Sequence, residues 1–179
     1  MRTRLTALFI AIAATALADG GKAGKGQMAG KTAPLVALRD VKDRMVFLRD
    51  LVGAQARPQT KKKAIVLDFF GTFCGPCKRE LPHILELNER WKDKGVEVLL
   101  IGYGESPDTL AEFVTAQNIP LRVLSDRYGL ASKQYAVSSL PRVLVVGGDG
   151  VVKEDLVGDH EDLVNQLDKL LGVLTSGGA

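Results

Sequence analysis

Residues 64–82 read AIVLDFFGTFCGPCKRELP, and this stretch decides how the rest of the chain is interpreted. Residues 64–70 form an apolar run interrupted only by Asp68, as expected of a central strand covered on both faces. A short turn follows, and then Cys74 and Cys77, the only two cysteines in 179 residues, start a predicted helix. Two thiols one helical turn apart can close into a disulfide and open again, so the pattern predicts redox chemistry.

Two other uses of a Cys-x-x-Cys pair fit this chain less well. A structural disulfide stabilises most by closing a long loop, and joining Cys74 to Cys77 closes almost none. A structural zinc site needs four ligands, but the chain has no second cysteine pair and only His83 and His160 as histidines. Redox chemistry is therefore the leading interpretation, and no cofactor is predicted.

Composition indicates one globular domain with short extensions. The chain is 46% hydrophobic and 25% charged, which is enough apolar content to bury a core. A formal charge of +3 and 6% aromatic residues give no basic, aromatic-rich surface, so we predict no nucleic-acid partner.

The first eighteen residues have the pattern of a secretory signal peptide. Arg2 and Arg4 precede an uncharged, mostly apolar run of about thirteen residues, and Ala16-Leu17-Ala18 is a small-x-small cleavage site. The run is shorter than the ~20 residues of a membrane-spanning helix. We predict export to the periplasm or another extracytoplasmic space, with an uncleaved membrane anchor as the alternative. Cleavage after Ala18 removes two arginines and lowers the formal charge to +1.

The remaining chain divides into a linker, a domain and a tail. Residues 19–33 are rich in Gly and Lys and predict a flexible linker, residues 34–174 the domain, and residues 175–179 a disordered tail. Alternating apolar residues around residues 39–44 predict an N-terminal β-hairpin, and Gly147-Gly148-Asp149-Gly150 predicts a second hairpin.

Helices and strands alternate between the two hairpins. Residues 75–93 predict a helix containing Pro82, residues 96–103 a buried strand, and residues 106–117 a helix with Ser106 as its cap. A short strand and a short helix follow, and Asp159 is the predicted cap of a final amphipathic helix. The order predicts an α/β fold with a mixed central sheet and helices on both faces.

The FCGPC sequence after an apolar strand resembles the thioredoxin superfamily, with Asp68 six residues before the first cysteine and Pro82 five after the second. The N-terminal hairpin, the strand and helix inserted at residues 96–117, and the signal peptide are similar to TlpA/ResA-type exported thiol:disulfide oxidoreductases. The resemblance covers residues 34–172 and implies a thioredoxin-like three-layer sandwich.

The predicted catalytic residues are Cys74, Cys77, Asp68 and Glu80. A helix N-terminus favours the thiolate of Cys74, which we predict to be the nucleophile, and the buried Cys77 then resolves the mixed disulfide. Burial in an apolar strand should raise the pKa of Asp68, and the resemblance implies that this acid takes the proton of Cys77. Glu80 lies three residues beyond Cys77, where the family carries an acid that tunes the thiols; an exposed surface charge is the alternative.

The predicted substrate-binding residues are Phe73, Gly75, Pro76, Leu140 and Pro141. The resemblance implies a cis proline at Pro141, facing the dithiol, with Leu140 offering backbone hydrogen bonds to a substrate chain. Ser139 and Arg142 flank this pair and either line the groove or have ordinary loop roles. Two departures stand out: Phe70 and Phe73 occupy positions where thioredoxins usually have Trp, and the lysine near the buried acid has no match in residues 96–101.

The sequence therefore predicts an extracytoplasmic enzyme that reduces protein disulfides through its Cys-Gly-Pro-Cys motif, in cytochrome c biogenesis or a similar process. The expected partners are a disulfide-containing protein substrate and a membrane thiol reductase as electron donor, with the enzyme itself a monomer. The alternative is a copper-binding metallochaperone that adds His160 to the dithiol. A peroxidase is a third possibility, but it would need a Thr-x-x-Cys sequence, and Thr72 is one residue too close to Cys74.

Overall fold

The computed structural model describes residues 23–177, so the predicted signal peptide over residues 1–18 lies outside the described residues. Its centre is an eight-stranded sheet, with strands β1 Gly24–Lys25, β2 Ala37–Asp40, β3 Met45–Phe47, β4 Ala64–Phe70, β5 Val96–Tyr103, β6 Arg122–Asp126, β7 Arg142–Gly147 and β8 Val152–Val157. The strand order is β1-β8-β7-β4-β5-β6-β2-β3. Strands β4, β5 and β6 are parallel and every other pairing is antiparallel, so the predicted mixed sheet is confirmed.

Four α-helices cover the sheet: α1 Gly75–Trp91, α2 Pro107–Ala116, α3 Leu130–Gln134 and α4 Leu163–Ser176. Buried side chains of α1, α2 and α4 share one apolar cluster with one face of the sheet. The second cluster, on the opposite face, holds α3 and the residues around the first hairpin. Among residues 23–177, no helix is long and apolar enough to cross a membrane.

Strand β4 lies at the centre of the sheet, as its apolar run predicts. All seven of its residues are buried, and it pairs with β5 on one side and β7 on the other. Because side chains alternate along a strand, Val66, Asp68 and Phe70 face α1, whereas Leu67 and Phe69 face the opposite cluster. The chain leaves β4 directly into the turn that carries Cys74.

Both predicted hairpins are present. Strands β2 and β3 pair with Leu38 opposite Val46, and β7 and β8 pair across Gly147 to Gly150. In the first hairpin the buried side chains are Leu38 and Val46, while Met45 is 43% exposed. The hairpin was predicted from an alternation of apolar residues that starts at Leu35 and at Met45. The residues between them are the ones that are buried, because they pack in the apolar cluster opposite α1.

The predicted flexible linker spans residues 19–33, and its described part, residues 23–33, is ordered in the structure. We call residues 24–34 the N-terminal strap; it pairs with β8 through β1 and then follows the β7–β8 hairpin. Backbone hydrogen bonds of 2.8 to 2.9 Å join Gly30 and Lys31 to Val152, and Ala33 to Gly150. Met28 is buried. The ordered part of the domain therefore begins before residue 34, held by partners that are distant in sequence.

The C-terminal boundary also differs from the prediction. Helix α4 continues to Ser176, and the Thr175 carbonyl accepts a hydrogen bond of 2.8 Å from Lys63, so the predicted tail over residues 175–179 is helical in its first two residues. The residue before the first helical turn is Asp162 rather than Asp159, and its side chain makes no capping hydrogen bond to the backbone. Asp159 instead forms an exposed ion pair with Arg79 of α1, at 2.8 Å.

Candidate active site

The two cysteines are joined in a disulfide at the N-terminus of α1. Cys74 is the residue before the first helical turn, and its sulfur accepts a hydrogen bond of 3.2 Å from the backbone N–H of Cys77. Both are largely buried, at 9% and 5% exposure. Unpaired N–H groups and the helix dipole at this end favour negative charge, so the position suits a reactive thiolate on Cys74.

The turn that presents Cys74 is fixed by an acid that the sequence did not single out. Glu105, in the loop after β5, accepts hydrogen bonds from the backbone N–H of Thr72, at 2.9 Å, and from its hydroxyl. Within the turn, the Cys74 N–H donates to the Gly71 carbonyl at 3.0 Å. The loops after two parallel strands are thus tied together beside the disulfide. The bond joins residues 33 positions apart, which sequence spacing does not reveal.

Beneath the disulfide lie two buried carboxyl groups, Asp68 and Glu80. Each is 3% exposed, and three of their four oxygens have no hydrogen-bond partner. Asp68 faces α1 from the middle of β4, while Cys77 and Glu80 are one turn apart on α1 and both buried against the sheet. The alternative interpretation of Glu80 as an exposed surface charge is not what the structure contains.

Burial raises the pKa of both acids because it disfavours their charged forms. Desolvation raises the pKa of Asp68 from 3.8 to about 7. Desolvation, followed by repulsion from Asp68 and Asp159, raises the pKa of Glu80 from 4.5 to about 9. The neighbours of Asp68 on the flanking strands are Leu100 and Val143, so no lysine relieves the pair there. Both carboxyl groups therefore keep their protons to higher pH than an exposed acid would.

The Leu140–Pro141 bond is cis, as the resemblance implied. Pro141 is buried and directly precedes Arg142, which pairs with Phe69 near the end of β4. Leu140 is half-buried and packs on the apolar cluster that contains both cysteines. The structure therefore brings the predicted ledge to the edge of the sheet where the disulfide lies.

The remaining predicted contact residues vary in accessibility. Phe73 is 68% exposed beside the disulfide, Gly75 is exposed and Pro76 half-exposed, so all three are available to a bound chain. Phe70 is buried and packs against Phe113 with ring centroids 5.9 Å apart, so only Phe73 forms an apolar rim. Arg142 does not line the groove, because it is 3% exposed and ion-paired with Asp155.

The geometry gives the copper alternative little support. His160 donates a hydrogen bond of 3.1 Å from Nε2 to the Val157 carbonyl, and His83 is exposed on α1. Over residues 23–177, no three His, Cys, Asp or Glu side chains lie together in a group suited to a metal ion. The two cysteines therefore have no third ligand assembled beside them in this part of the chain.

Comparison with known proteins agrees with the fold and with a thiol-disulfide oxidoreductase. The chain matches the AhpC/TSA family over residues 29–155. It is 31% identical over 146 residues to the thiol-disulfide oxidoreductase ResA of Bacillus thuringiensis subsp. konkukian, an alignment that covers 82% of this chain and 78% of the relative.

Solved structures share the architecture at lower sequence identity. The thioredoxin domain of a thiol-disulfide oxidoreductase from Bacteroides vulgatus has a TM-score of 0.68 at 20% identity, covering 81% of this chain and 99% of that domain. A secreted disulfide oxidoreductase from Mycobacterium tuberculosis has a TM-score of 0.61 at 18% identity, covering 75% and 96%. The predicted thioredoxin-like fold is confirmed.

Proposed function

This chain belongs to the AhpC/TSA family and is a thiol:disulfide oxidoreductase, and on that premise we propose that it reduces disulfides of exported proteins through Cys74 and Cys77. The observation that supports the proposal is the disulfide-bonded cysteine pair at the start of α1, on the same face of the sheet as two buried acids. Disulfide-containing molecules are the substrates of this enzyme class, and the exposed Phe73 beside the pair favours a polypeptide.

The proposed reaction begins with the reduced enzyme. The Cys74 thiolate attacks one sulfur of the substrate disulfide, forming a mixed disulfide and releasing the other substrate sulfur as a thiolate. Cys77 then loses its proton to the buried acid pair and attacks the Cys74 sulfur. The second substrate sulfur leaves as a thiolate, and the enzyme is left with the Cys74–Cys77 disulfide. Two electrons pass from the enzyme to the substrate.

The raised pKa of Asp68 suits it to this proton transfer. Transfer is most efficient when the acceptor and donor have similar proton affinities, and burial brings the pKa of this carboxyl to about 7, close to the range of a thiol. Glu80 lies beside it as a second proton holder. An ordinary exposed aspartate would leave Cys77 protonated most of the time.

The direction of electron flow and the location are also proposals. Gly-Pro between the cysteines favours a reductant near the thioredoxin potential of about −270 mV, rather than a strong oxidant near about −120 mV. The signal-like residues 1–18 support export, as does the secreted relative from Mycobacterium tuberculosis. We propose that a membrane thiol reductase returns the monomeric enzyme to its reduced form. Candidate substrates are the haem-site cysteines of apocytochrome c, a copper-site assembly protein, and other misoxidised proteins.

Two measurements test this proposal. Equilibration of the purified domain with thiol buffers gives its potential; a value near that of a strong oxidant would contradict a reducing role. Turnover is then compared on insulin and on a disulfide-bonded Cys-x-x-Cys-His peptide, the haem-attachment sequence. Cys74→Ser should abolish both reactions, while Cys77→Ser should accumulate a mixed disulfide. Turnover by Cys74→Ser would refute the assigned nucleophile.

A further inference from the structure

A second buried charged pair lies on the face of the sheet opposite α1. Arg142, the first residue of β7, is 3% exposed, and Asp155 of β8 is fully buried. The guanidinium makes two parallel bonds to the carboxylate, Nε to Oδ1 at 2.5 Å and Nη2 to Oδ2 at 2.8 Å. A two-bond arrangement of this kind fixes both position and orientation of the guanidinium.

The third guanidinium bond reaches the loop that carries the proposed ledge. Nη1 of Arg142 donates to the Ala136 carbonyl at 3.2 Å, at the start of residues 136–141, which we call the α3–β7 loop. Ala136 has φ +53°, a left-handed conformation that a residue with a side chain adopts at a cost. At the other end of this loop, the Pro141 carbonyl accepts from Gly158 at 2.9 Å. Arg142, which directly follows the loop, is thus bonded to the first residue of the loop.

The N-terminal strap completes this support. The Met28 N–H donates to Oδ2 of Asp155 at 2.8 Å, and the Gly26 N–H donates to the Asp155 carbonyl at 2.9 Å. A second tie is formed by the Tyr135 hydroxyl, which donates to the Pro34 carbonyl at 2.8 Å. The strap is therefore bonded both to the acid that holds Arg142 and to the residue just before the α3–β7 loop.

Gly26 shows how closely the strap fits this ion pair. A Cβ added there would lie 2.1 Å from Oδ2 of Asp155 and 2.3 Å from Nη2 of Arg142. Such distances force one of the groups to move, and both are buried with little room to do so. The position requires glycine because of this close approach.

We propose that Arg142 and Asp155 are positioning residues for the Leu140–Pro141 ledge, and that the N-terminal strap is the part of the chain that holds them in place. This inference rests on the proposed function, because the ledge binds the polypeptide of the substrate there. The strap lies just after the segment predicted to lead to the membrane or to the cleavage site. Its docking on β8 thereby becomes part of substrate recognition.

The inference predicts a specific kinetic signature. A polypeptide substrate needs the ledge in order to align its disulfide with Cys74, whereas a small aromatic disulfide needs only the exposed sulfur. Loosening the ion pair should therefore raise KM for a protein disulfide and leave the reaction with a small disulfide unchanged. The redox potential should also stay constant, because neither Cys74 nor Cys77 contacts the altered groups.

The first test compares Gly26→Ala with Gln27→Ala, an exposed neighbour in the same strap. For Gly26→Ala we expect KM for insulin to rise about three- to tenfold, since small displacements of positioning groups are costly. The rate with 5,5′-dithiobis(2-nitrobenzoate) and the potential should match those of the unmodified protein, as should all properties of Gln27→Ala. An unchanged KM in Gly26→Ala, or an equal loss with both disulfides, would overturn the inference.

A second variant separates positioning from simple stability. The double substitution Arg142→Met, Asp155→Leu removes both charges without leaving one buried alone, so the protein should remain folded. If the pair is only structural, a double variant with the melting temperature of the unmodified protein should also have its KM for insulin. If the pair positions the ledge, the double variant should keep a raised KM even though its melting temperature equals that of the unmodified protein.

A readout that needs no turnover keeps the inference distinct from the proposed function. Amide hydrogen exchange of residues 136–140 should become faster in Gly26→Ala and stay unchanged in Gln27→Ala. Equal exchange in the two variants would refute the positioning role, even if insulin were not a substrate. Failure of the unmodified protein to reduce any protein disulfide, with faster exchange in Gly26→Ala, would instead overturn the proposed function alone.

Discussion

Two pairs of charged side chains are buried in this domain, one on each face of the central sheet, and they have opposite chemistry. Asp68 and Glu80, on the face covered by α1, are two acids with three oxygens that lack hydrogen-bond partners. Arg142 and Asp155, on the other face, have opposite charges and are joined by two hydrogen bonds. The first pair lies beneath the disulfide, and the second beside the Leu140–Pro141 ledge.

The difference shows how one fold separates proton handling from positioning. Two acids without cationic partners keep raised pKa values, so their protons are exchangeable at the pH at which thiols react. A cation and an anion joined by fixed bonds instead hold one geometry. The comparison therefore predicts that the pairs will respond differently to substitution and to pH.

The largest expected effect is on stability, and it comes from removing one partner of the Arg142–Asp155 ion pair. Asp155→Ala leaves the Arg142 guanidinium buried without its partner, which should lower the free energy of unfolding by about 3–5 kcal/mol. Glu89→Ala removes an exposed partner of Lys92 and should have a far smaller effect, because water and salt screen exposed ion pairs. Urea unfolding of the two oxidised variants measures both values. Equal losses would contradict the assignment of Arg142–Asp155 as a fixed support.

The next effect is on the pH dependence of stability, to which Asp68 and Glu80 should contribute most. Because the pKa of Asp68 is raised in the folded protein, the folded state binds more protons than the unfolded state, and stability falls as pH rises. For Asp68 the loss is about 4 kcal/mol between about pH 4 and pH 7. The pKa values of three other acids are lowered in the folded protein, so their contribution to stability has the opposite sign and is lost as the pH falls into the acidic range. These acids are Asp40, Asp149 and Glu154.

Urea unfolding of the oxidised protein between about pH 5 and pH 8 measures this dependence in a window above the range in which those three acids titrate. Asp68→Asn should flatten the curve, whereas the double substitution Arg142→Met, Asp155→Leu should preserve its slope. A curve that rises with pH in the unmodified protein would contradict the raised pKa values.

The smallest expected effect is the interaction between the two acids. Asp68→Asn replaces an ionisable neighbour by a neutral one, so the Glu80 carboxylate is repelled less and the pKa of Glu80 should fall. Glu86→Gln, which removes an exposed acid from the same helix, is the control. NMR titration of the Glu80 carboxyl carbon measures the change directly. An unchanged Glu80 titration in Asp68→Asn would show that the two groups act independently.

Local patterns predicted the part of the site that lies in residues 64–82. The apolar residues on both sides of Asp68 predicted that it is buried. The Cys-x-x-Cys spacing after a short turn predicted that Cys74 lies at the start of a helix. The sequence did not decide whether Glu80 is buried or exposed. A separation of three residues places it near Cys77 on the helix, but does not show whether that part of the helix faces the sheet or the solvent. Its burial depends on how α1 lies on β4, which only the folded chain defines.

Interactions between distant residues account for what the sequence did not predict. The glycines and lysines of residues 19–33 indicate flexibility by composition, yet the strap is ordered by hydrogen bonds to residues about 120 positions away. Arg142 follows a predicted loop and was assigned to a groove or an ordinary loop role, but Asp155 draws it into the interior. Glu105 had no local signal at all, since its partner Thr72 belongs to another loop.

The pH profile of kcat/KM for insulin reduction by Asp68→Asn tests the central claim most directly. If the buried acid takes the proton of Cys77, the unmodified protein should show a limb near pH 7, and this variant should lose that limb and fall in rate by about 10²-fold there. The double substitution Arg142→Met, Asp155→Leu should keep that limb at the same pH. An Asp68→Asn profile identical in shape and height to that of the unmodified protein would contradict the account.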